Sequence, residues 1–169
     1  MEALEFWKAV TMDHANLLES LIQLLNEQKV KYCVIGGQAV NAYAEPLVSL
    51  DLDLVVAVDD LKRLEPIFEQ RFKLDRFPHS LNISLPNSDL RVQIQTDSRY
   101  LEFPGRAVKR SVLGLTLPIA ALDDLLRAKI WAASDPQRRP TKRKKDLLDI
   151  ARLVEKFPDL RSKVPPELL

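Results

Sequence analysis

Apolar and polar positions along this chain fall into two periods, one near 3.6 and one of 2, and the switches between them mark out the elements. Over residues 14–29, Leu18, Leu21, Ile22 and Leu25 recur at helical spacing and predict an amphipathic helix. Tyr32-Cys33-Val34-Ile35 then reads as a short buried strand that stops at Gly36-Gly37. Residues 38–44 are alanine-rich and helix-permissive, and Pro46 ends them. From Leu50 to Val58 the pattern is a buried strand with Asp51 and Asp53 near its start. Asp59 is a candidate cap for a helix with the apolar face Leu61, Leu64, Ile67 and Phe68.

Period-2 alternation returns in Leu81, Ile83 and Leu85 and again in Leu90, Val92 and Ile94. The turn-forming Pro86-Asn87-Ser88-Asp89 between them predicts a β-hairpin. Residues 99–119 suggest a further strand pair pivoting near Gly114. Two helices follow: about 122–134, with Asp123 and Asp124 at its start, and about 142–157, with Thr141 as a candidate cap. Pro158, Pro165 and Pro166 mark a tail in which little regular structure is expected. The whole reads as one α/β (α+β) domain over 1–169. Its core spans about 15–118, its C-terminal helices about 120–157 and its tail 158–169. The sheet is mixed and flanked by helices.

Composition narrows the class. Hydrophobic residues are 46% and charged residues 29% of 169, ordinary for a folded domain. No apolar run suffices to span a bilayer, and the N-terminus lacks the pattern of a signal peptide. The lone Cys33 lies in an apolar strand and reads as a core residue. These features imply a cytoplasmic protein with no membrane partner. His14 and His79 show no ligand or triad spacing. The net charge of +1 hides an asymmetry: six of the eight residues from Arg138 to Lys145 are basic, and removing those six charges leaves −5. Such a run attracts polyanions, although it is more often a solvated face.

Two features carry chemistry. Two of four glycines, Gly36 and Gly37, are adjacent between a strand and a helix, where free helix N–H groups and close backbone approach suit a phosphate. A tight turn alone would use them equally well. Asp51 and Asp53 stand two apart on a strand, so their carboxylates share a face. Burying both calls for compensation, which Mg²⁺ supplies, whereas an exposed strand end would need none. The apolar Leu54-Val55-Val56-Ala57-Val58 that follows argues for a central strand.

The combination GGQAVNAYAEPLVSLDLDLVV resembles the signature of the nucleotidyltransferase superfamily, in which Gly-Gly or Gly-Ser precedes Asp-x-Asp. The short chain and C-terminal helices are similar to minimal bacterial members, including abortive-infection type toxins. The resemblance runs from about residue 30 to 157. It implies a nucleotidyltransferase-like fold and transfer of a nucleoside monophosphate from NTP to an acceptor hydroxyl. An RNA 3′ end is the preferred acceptor, then a protein side chain, then a small molecule. It further implies that Asp51 and Asp53 ligate Mg²⁺ (or Mn²⁺) and that Gly36 and Gly37 hold triphosphate oxygens. The alternative is a degenerate nucleotide- or partner-binding module, with a cognate small protein partner in a toxin–antitoxin-like pair.

The C-terminal helices add a second constellation. Lys129 falls on the apolar stripe Leu122, Leu125, Leu126, Ile130 and Ala133, and Asp146 shares a face with Ile150, Leu153 and Phe157. Both therefore point inward. The resemblance assigns Lys129 and Asp146 to the nucleotide site as catalytic residues, and Arg138, Arg139 and Lys142 of the basic run as flanking nucleotide-binding groups. A structural pair of Lys129 with Asp146 or Asp149 explains the same pattern. Trp131 reads as helix packing. One departure stands out: Gln93 occupies the strand position where many members carry a third carboxylate, with Asp89, Asp97 and Asp146 as candidate substitutes.

Overall fold

The computed structural model describes residues 2–13 and 16–169. Asp51–Val56 forms β2, the middle strand of a seven-stranded sheet, with the order β3-β4-β5-β2-β1-β7-β6. Its partners are β1 (Tyr32–Ile35), antiparallel, and β5 (Arg91–Gln95), parallel. β3 (Lys73–Phe77) and β4 (Ser80–Ser84) continue antiparallel from β5 to one edge. β7 (Leu115–Ile119) runs parallel to β1, and β6 (Val108–Val112) closes the other edge. The mixed sheet and its helices match the α/β expectation.

Alternation on β2 divides the molecule. Leu52 and Leu54 are fully buried, whereas Asp51 and Asp53 turn to the other face and remain partly open. Each buried leucine contributes roughly 1.5–3 kcal/mol from the apolar area removed from water. Val55 and Val56 are buried without alternation, as befits a strand covered on both sides.

Among the described residues seven α-helices flank the sheet: α1 (Ala3–Val10), α2 (Leu17–Glu27), α3 (Gly36–Tyr43), α4 (Val58–Arg71), α5 (Phe103–Arg106), α6 (Leu122–Ser134) and α7 (Pro140–Lys156). Their apolar faces bear out the periodicity: Leu17, Leu18, Leu21, Leu24 and Leu25 of α2 are buried, as are Leu61, Leu64 and Phe68 of α4. α3, α6 and α7 pack together on the Asp51/Asp53 side. No helix among the described residues is long and apolar enough to cross a membrane.

Several details differ from the sequence expectation. The helix over 14–29 is described only for Leu17–Glu27, and His14 lies outside the described residues. Asp59 does not cap α4; the helix starts one residue earlier, so Asp59 and Asp60 occupy its first turn, where acids complement the dipole. Thr141 likewise sits inside α7, because Pro140 takes the first helical position that its ring favours. The tail is not irregular: 3-10 turns over Pro158–Lys163 and Pro166–Leu168 bury Leu160, Val164 and Leu168 against the core. The hairpin strands β4 and β5 pair as expected, but β4 also pairs with β3, which the apolar pattern did not reveal. The strand pair around Gly114 is β6–β7, and Gly114 adopts a left-handed φ of 76° in its turn.

Candidate active site

The acids of β2 and the basic ends of α6 and α7 face each other across a cleft of about 760 Å³. Asp51, Asp53, Gly37, Lys129, Arg138, Lys142, Lys145 and Asp146 all line it. Arg139, expected beside them, does not reach the wall.

Local geometry ties Gly36 to Asp53. Antiparallel pairing sets Ile35 opposite Asp53, so the next residue, Gly36, turns beside that carboxylate. Gly36 has φ 72°, and a Cβ there would run into the Asp53 carboxylate, its Cγ only 3.1 Å away. Glycine is therefore required twice, by dihedral and by space. Gly37 is different: a Cβ there meets nothing within 4 Å, and its backbone borders the open cleft. α3 has no side-chain cap, which leaves its first N–H groups available to an anion.

Burial pushes the Asp53 carboxyl up to about 6, and neighbouring Asp51 adds to the rise; Lys129, Lys142 and Arg138 oppose it. Asp51 forms an ion pair with Arg91, whose Nε lies 2.7 Å from one of its oxygens. That leaves its other oxygen, and both of Asp53, for a ligand. Among the described residues no group of three or more His, Cys, Asp or Glu gathers to hold an ion. Two carboxylates nevertheless suit Mg²⁺, which retains several waters and takes further oxygens from phosphates.

Across the cleft the inward residues of α6 and α7 pair with one another. Lys129 Nζ lies 2.8 Å from Asp149 and 3.2 Å from Asp146. Arg138 grips Asp146 with both Nε (2.8 Å) and Nη2 (3.1 Å). Burial pulls the Lys129 ammonium down, but Asp149, Asp146 and the more distant Asp53 outweigh it and hold the lysine charged. Both carboxylate oxygens of Asp146 are thus engaged by cations. Of the other two candidate substitutes for a third acid, neither Asp89 nor Asp97 lines the cleft. Gln93 does, directly across the ladder from Asp53.

Sequence reasoning missed further cleft residues. Arg152 joins Asp149 (2.8 Å) to Asn41 (2.8 Å), and Asn41 in turn exchanges hydrogen bonds with Leu47 on the loop entering β2. Asn82 and Asp75 extend the row from Gln93 across β4 and β3. The Asn82 amide oxygen is buried with no hydrogen-bond partner among the described residues, an arrangement that costs about 1–3 kcal/mol. Their only sequence signal was polar alternation, which also marks any solvated strand face. Trp131 packs against Tyr100 and Phe103, and Arg99 stacks over it at 5.0 Å. Burial pushes the Cys33 thiol up to about 12, in keeping with an inert core residue.

Comparison with solved structures decides the fold. The antibiotic-resistance factor ANT(2'')-Ia aligns with a TM-score of 0.60 at 18% identity, covering 87% of this chain and 88% of that one. The chain has the nucleotidyltransferase fold. A putative nucleotidyltransferase from Thermotoga maritima (TM1012) aligns at 0.53 and 14% identity over 88% and 94% of the two chains. The lincosamide antibiotic adenylyltransferase LnuA, solved with lincomycin, aligns at 0.52 and 13% over 80% and 93%. No family model and no curated protein matches the sequence. At these identities the shared property is the nucleotidyltransferase fold itself.

Two outcomes test the geometry. Gly36→Ala is expected to destabilise the protein by about 1–3 kcal/mol in urea unfolding, because it combines left-handed strain with collision at Asp53; an unchanged midpoint would refute the packing. Since the folded Asp53 carboxyl holds its proton up to about 6, against 3.8 ordinarily, ionising it opposes folding. In metal-free protein that penalty grows as pH rises from about 4 to about 6. Asp53→Asn should therefore melt higher than wild type at pH 7.5, with the gap closing toward pH 4. A gap that widens toward acid would contradict it.

Proposed function

We propose that this protein transfers a nucleoside monophosphate from a metal-bound NTP to an acceptor hydroxyl. The observation that carries the reading is the pair Asp51 and Asp53 on one face of β2, beside the open Gly37 backbone and opposite the cations of α6–α7. Asp51 and Asp53 would hold Mg²⁺ or Mn²⁺. The bound ion would neutralise charge on the triphosphate and polarise its α-phosphorus. Gly37 and the uncapped N-terminus of α3 would receive phosphate oxygens, while Lys142 and Lys145 draw the triphosphate in. Lys129 and Arg138 sit deeper, with Asp146 and Asp149 keeping them in place. The acceptor oxygen attacks the α-phosphorus, a new O–P bond forms, and the bond to the bridging oxygen breaks. Pyrophosphate leaves with that electron pair, and the hydroxyl proton passes to water in the cleft. Such a reaction rests mainly on positioning and charge neutralisation. The basic run suits a triphosphate and, equally, an RNA 3′ end as acceptor.

Gln93 favours a second reading. Standing directly opposite Asp53, it supplies an amide that can neither take a proton nor ligate metal as a carboxylate does. In that reading the protein binds nucleotide without turnover, as a binding module or one half of a two-protein toxin–antitoxin-like system.

Incubation with labelled NTPs, Mg²⁺ and total RNA or lysate separates the two. Transfer predicts labelled product with wild type and at least a hundredfold less with the Asp51→Asn/Asp53→Asn double variant. Mg²⁺-dependent NTP binding in calorimetry without any product would favour the second reading. Absence of that binding would remove both.

A further inference from the structure

We propose that Arg91 is a resident counter-cation of the acid pair, and that it limits the site to a single divalent ion. The proposal rests on the metal–nucleotide reading of the cleft and gives a role to a residue which that reading leaves unused.

Register places Arg91 where it can act. β2 and β5 run parallel, with Asp51 beside Arg91 and Asp53 beside Gln93, and all four residues line the cleft. Arg91 Nε lies 2.7 Å from one Asp51 oxygen. Among the described residues it is the only cation that a strand contributes to the lining. Lys129, Arg138, Lys142, Lys145 and Arg152 come from α6, α7 or the loop between them. The two walls share the acids: the helix cations Lys129, Lys142 and Arg138 bear on Asp53, whereas Arg91 stands on Asp51.

The supply of carboxylate oxygens sets the number of ions. Paired ions that act together in phosphoryl transfer sit about 3.5–4 Å apart and need acids enough to hold both. Among the described residues five carboxylates line the cleft: Asp51, Asp53, Asp75, Asp146 and Asp149. Asp146 is held by Arg138 and Lys129, and Asp149 by Lys129 and Arg152. Asp75 lies three strands from Asp53 along the ladder, roughly 14 Å at about 4.8 Å per strand. The two β5 positions that pair with the acids carry a guanidinium and an amide, so β5 adds no carboxylate there. Asp51 and Asp53 are left, with one of their oxygens already facing Arg91. Such a set suits one Mg²⁺, which fills its other positions with water and phosphate oxygens.

Charge leads to the same count. Two carboxylates and one guanidinium sum formally to −1 (−2 + 1), so one divalent ion already turns this group positive toward a triphosphate. The Arg91 side chain is 68% exposed, and an exposed pair of this kind is weak enough to yield to an ion at Asp51. Its guanidinium has N–H donors beyond Nε, which suit the phosphate oxygens beside that ion. Arg91 thus stands where a second divalent ion would otherwise sit.

Electron paramagnetic resonance of Mn²⁺ on the full chain at pH 7.5 counts the ions, because bound Mn²⁺ loses the sharp signal of the free ion. With an equimolar non-hydrolysable ATP analogue, wild type should take up one Mn²⁺ per chain. Arg91→Asp, which sets a third carboxylate beside Asp51, should take up two. Without nucleotide, Arg91→Gln should bind Mn²⁺ roughly threefold more tightly than wild type or better, while Arg91→Lys, which keeps the charge, stays close to wild type. Two ions on wild type, one on Arg91→Asp, or no gain in affinity with Arg91→Gln would each overturn the proposal. Failure of the metal–nucleotide reading itself looks different: Mn²⁺ uptake would be the same in wild type and in the Asp51→Asn/Asp53→Asn variant.

Discussion

Two carboxylates must reach a cleft from the middle of a sheet, and most of this structure follows from how that is arranged. Asp51 and Asp53 alternate with Leu52 and Leu54, so the strand that anchors the core also presents the acids. Asp53 leaves no room for a Cβ at the residue after Ile35, and Gly36 meets that demand in a left-handed conformation. The turn into α3 is thereby held beside the acids, and Gly37 opens onto the same space. Phosphate contacts and metal ligands are neighbours because the β1–β2 register makes them so.

The acids also need counter-charge, and α6 and α7 supply it in an already balanced form. Lys129 faces Asp53 through the cleft while resting on Asp146 and Asp149, and Arg138 holds Asp146 from the other side. Removing one member of such a network leaves a buried charge without a partner, typically a loss of about 3–5 kcal/mol. Arg152 carries the linkage on to Asn41 and to the backbone of Glu45, at the loop that enters β2. The two walls of the cleft are therefore joined through ion pairs as well as through the apolar core. The readings of Lys129 as a nucleotide-site residue and as a structural partner of α7 are compatible in this geometry.

Much of this was legible along the chain, and what escaped did so for identifiable reasons. α2, α4, α6, α7 and five of the seven strands carry clear apolar patterning. The edge strands β3 and β6 do not: of Lys73–Phe77 only Leu74 is even partly covered, and of Val108–Val112 only Val112 is buried, because both strands lie largely in solvent. The helix caps were misplaced by two residues at α4 and α7, where dipole and proline effects outweighed side-chain capping. The tail's prolines suggested irregular chain, yet proline suits the first turn of a short 3-10 segment, and three apolar side chains were left to bury.

The sequence by itself determined that Asp51 and Asp53 share one face of β2 and that Lys129 and Asp146 point inward. Each of those follows from periodicity within one element. Only the tertiary structure decided that Asp146 is clasped by two cations, that Arg139 stands away from the cleft, and that Asp53, Gln93, Asn82 and Asp75 form one row. Those facts depend on strand order, register and helix docking, which pair residues far apart in the chain, and no local period encodes them.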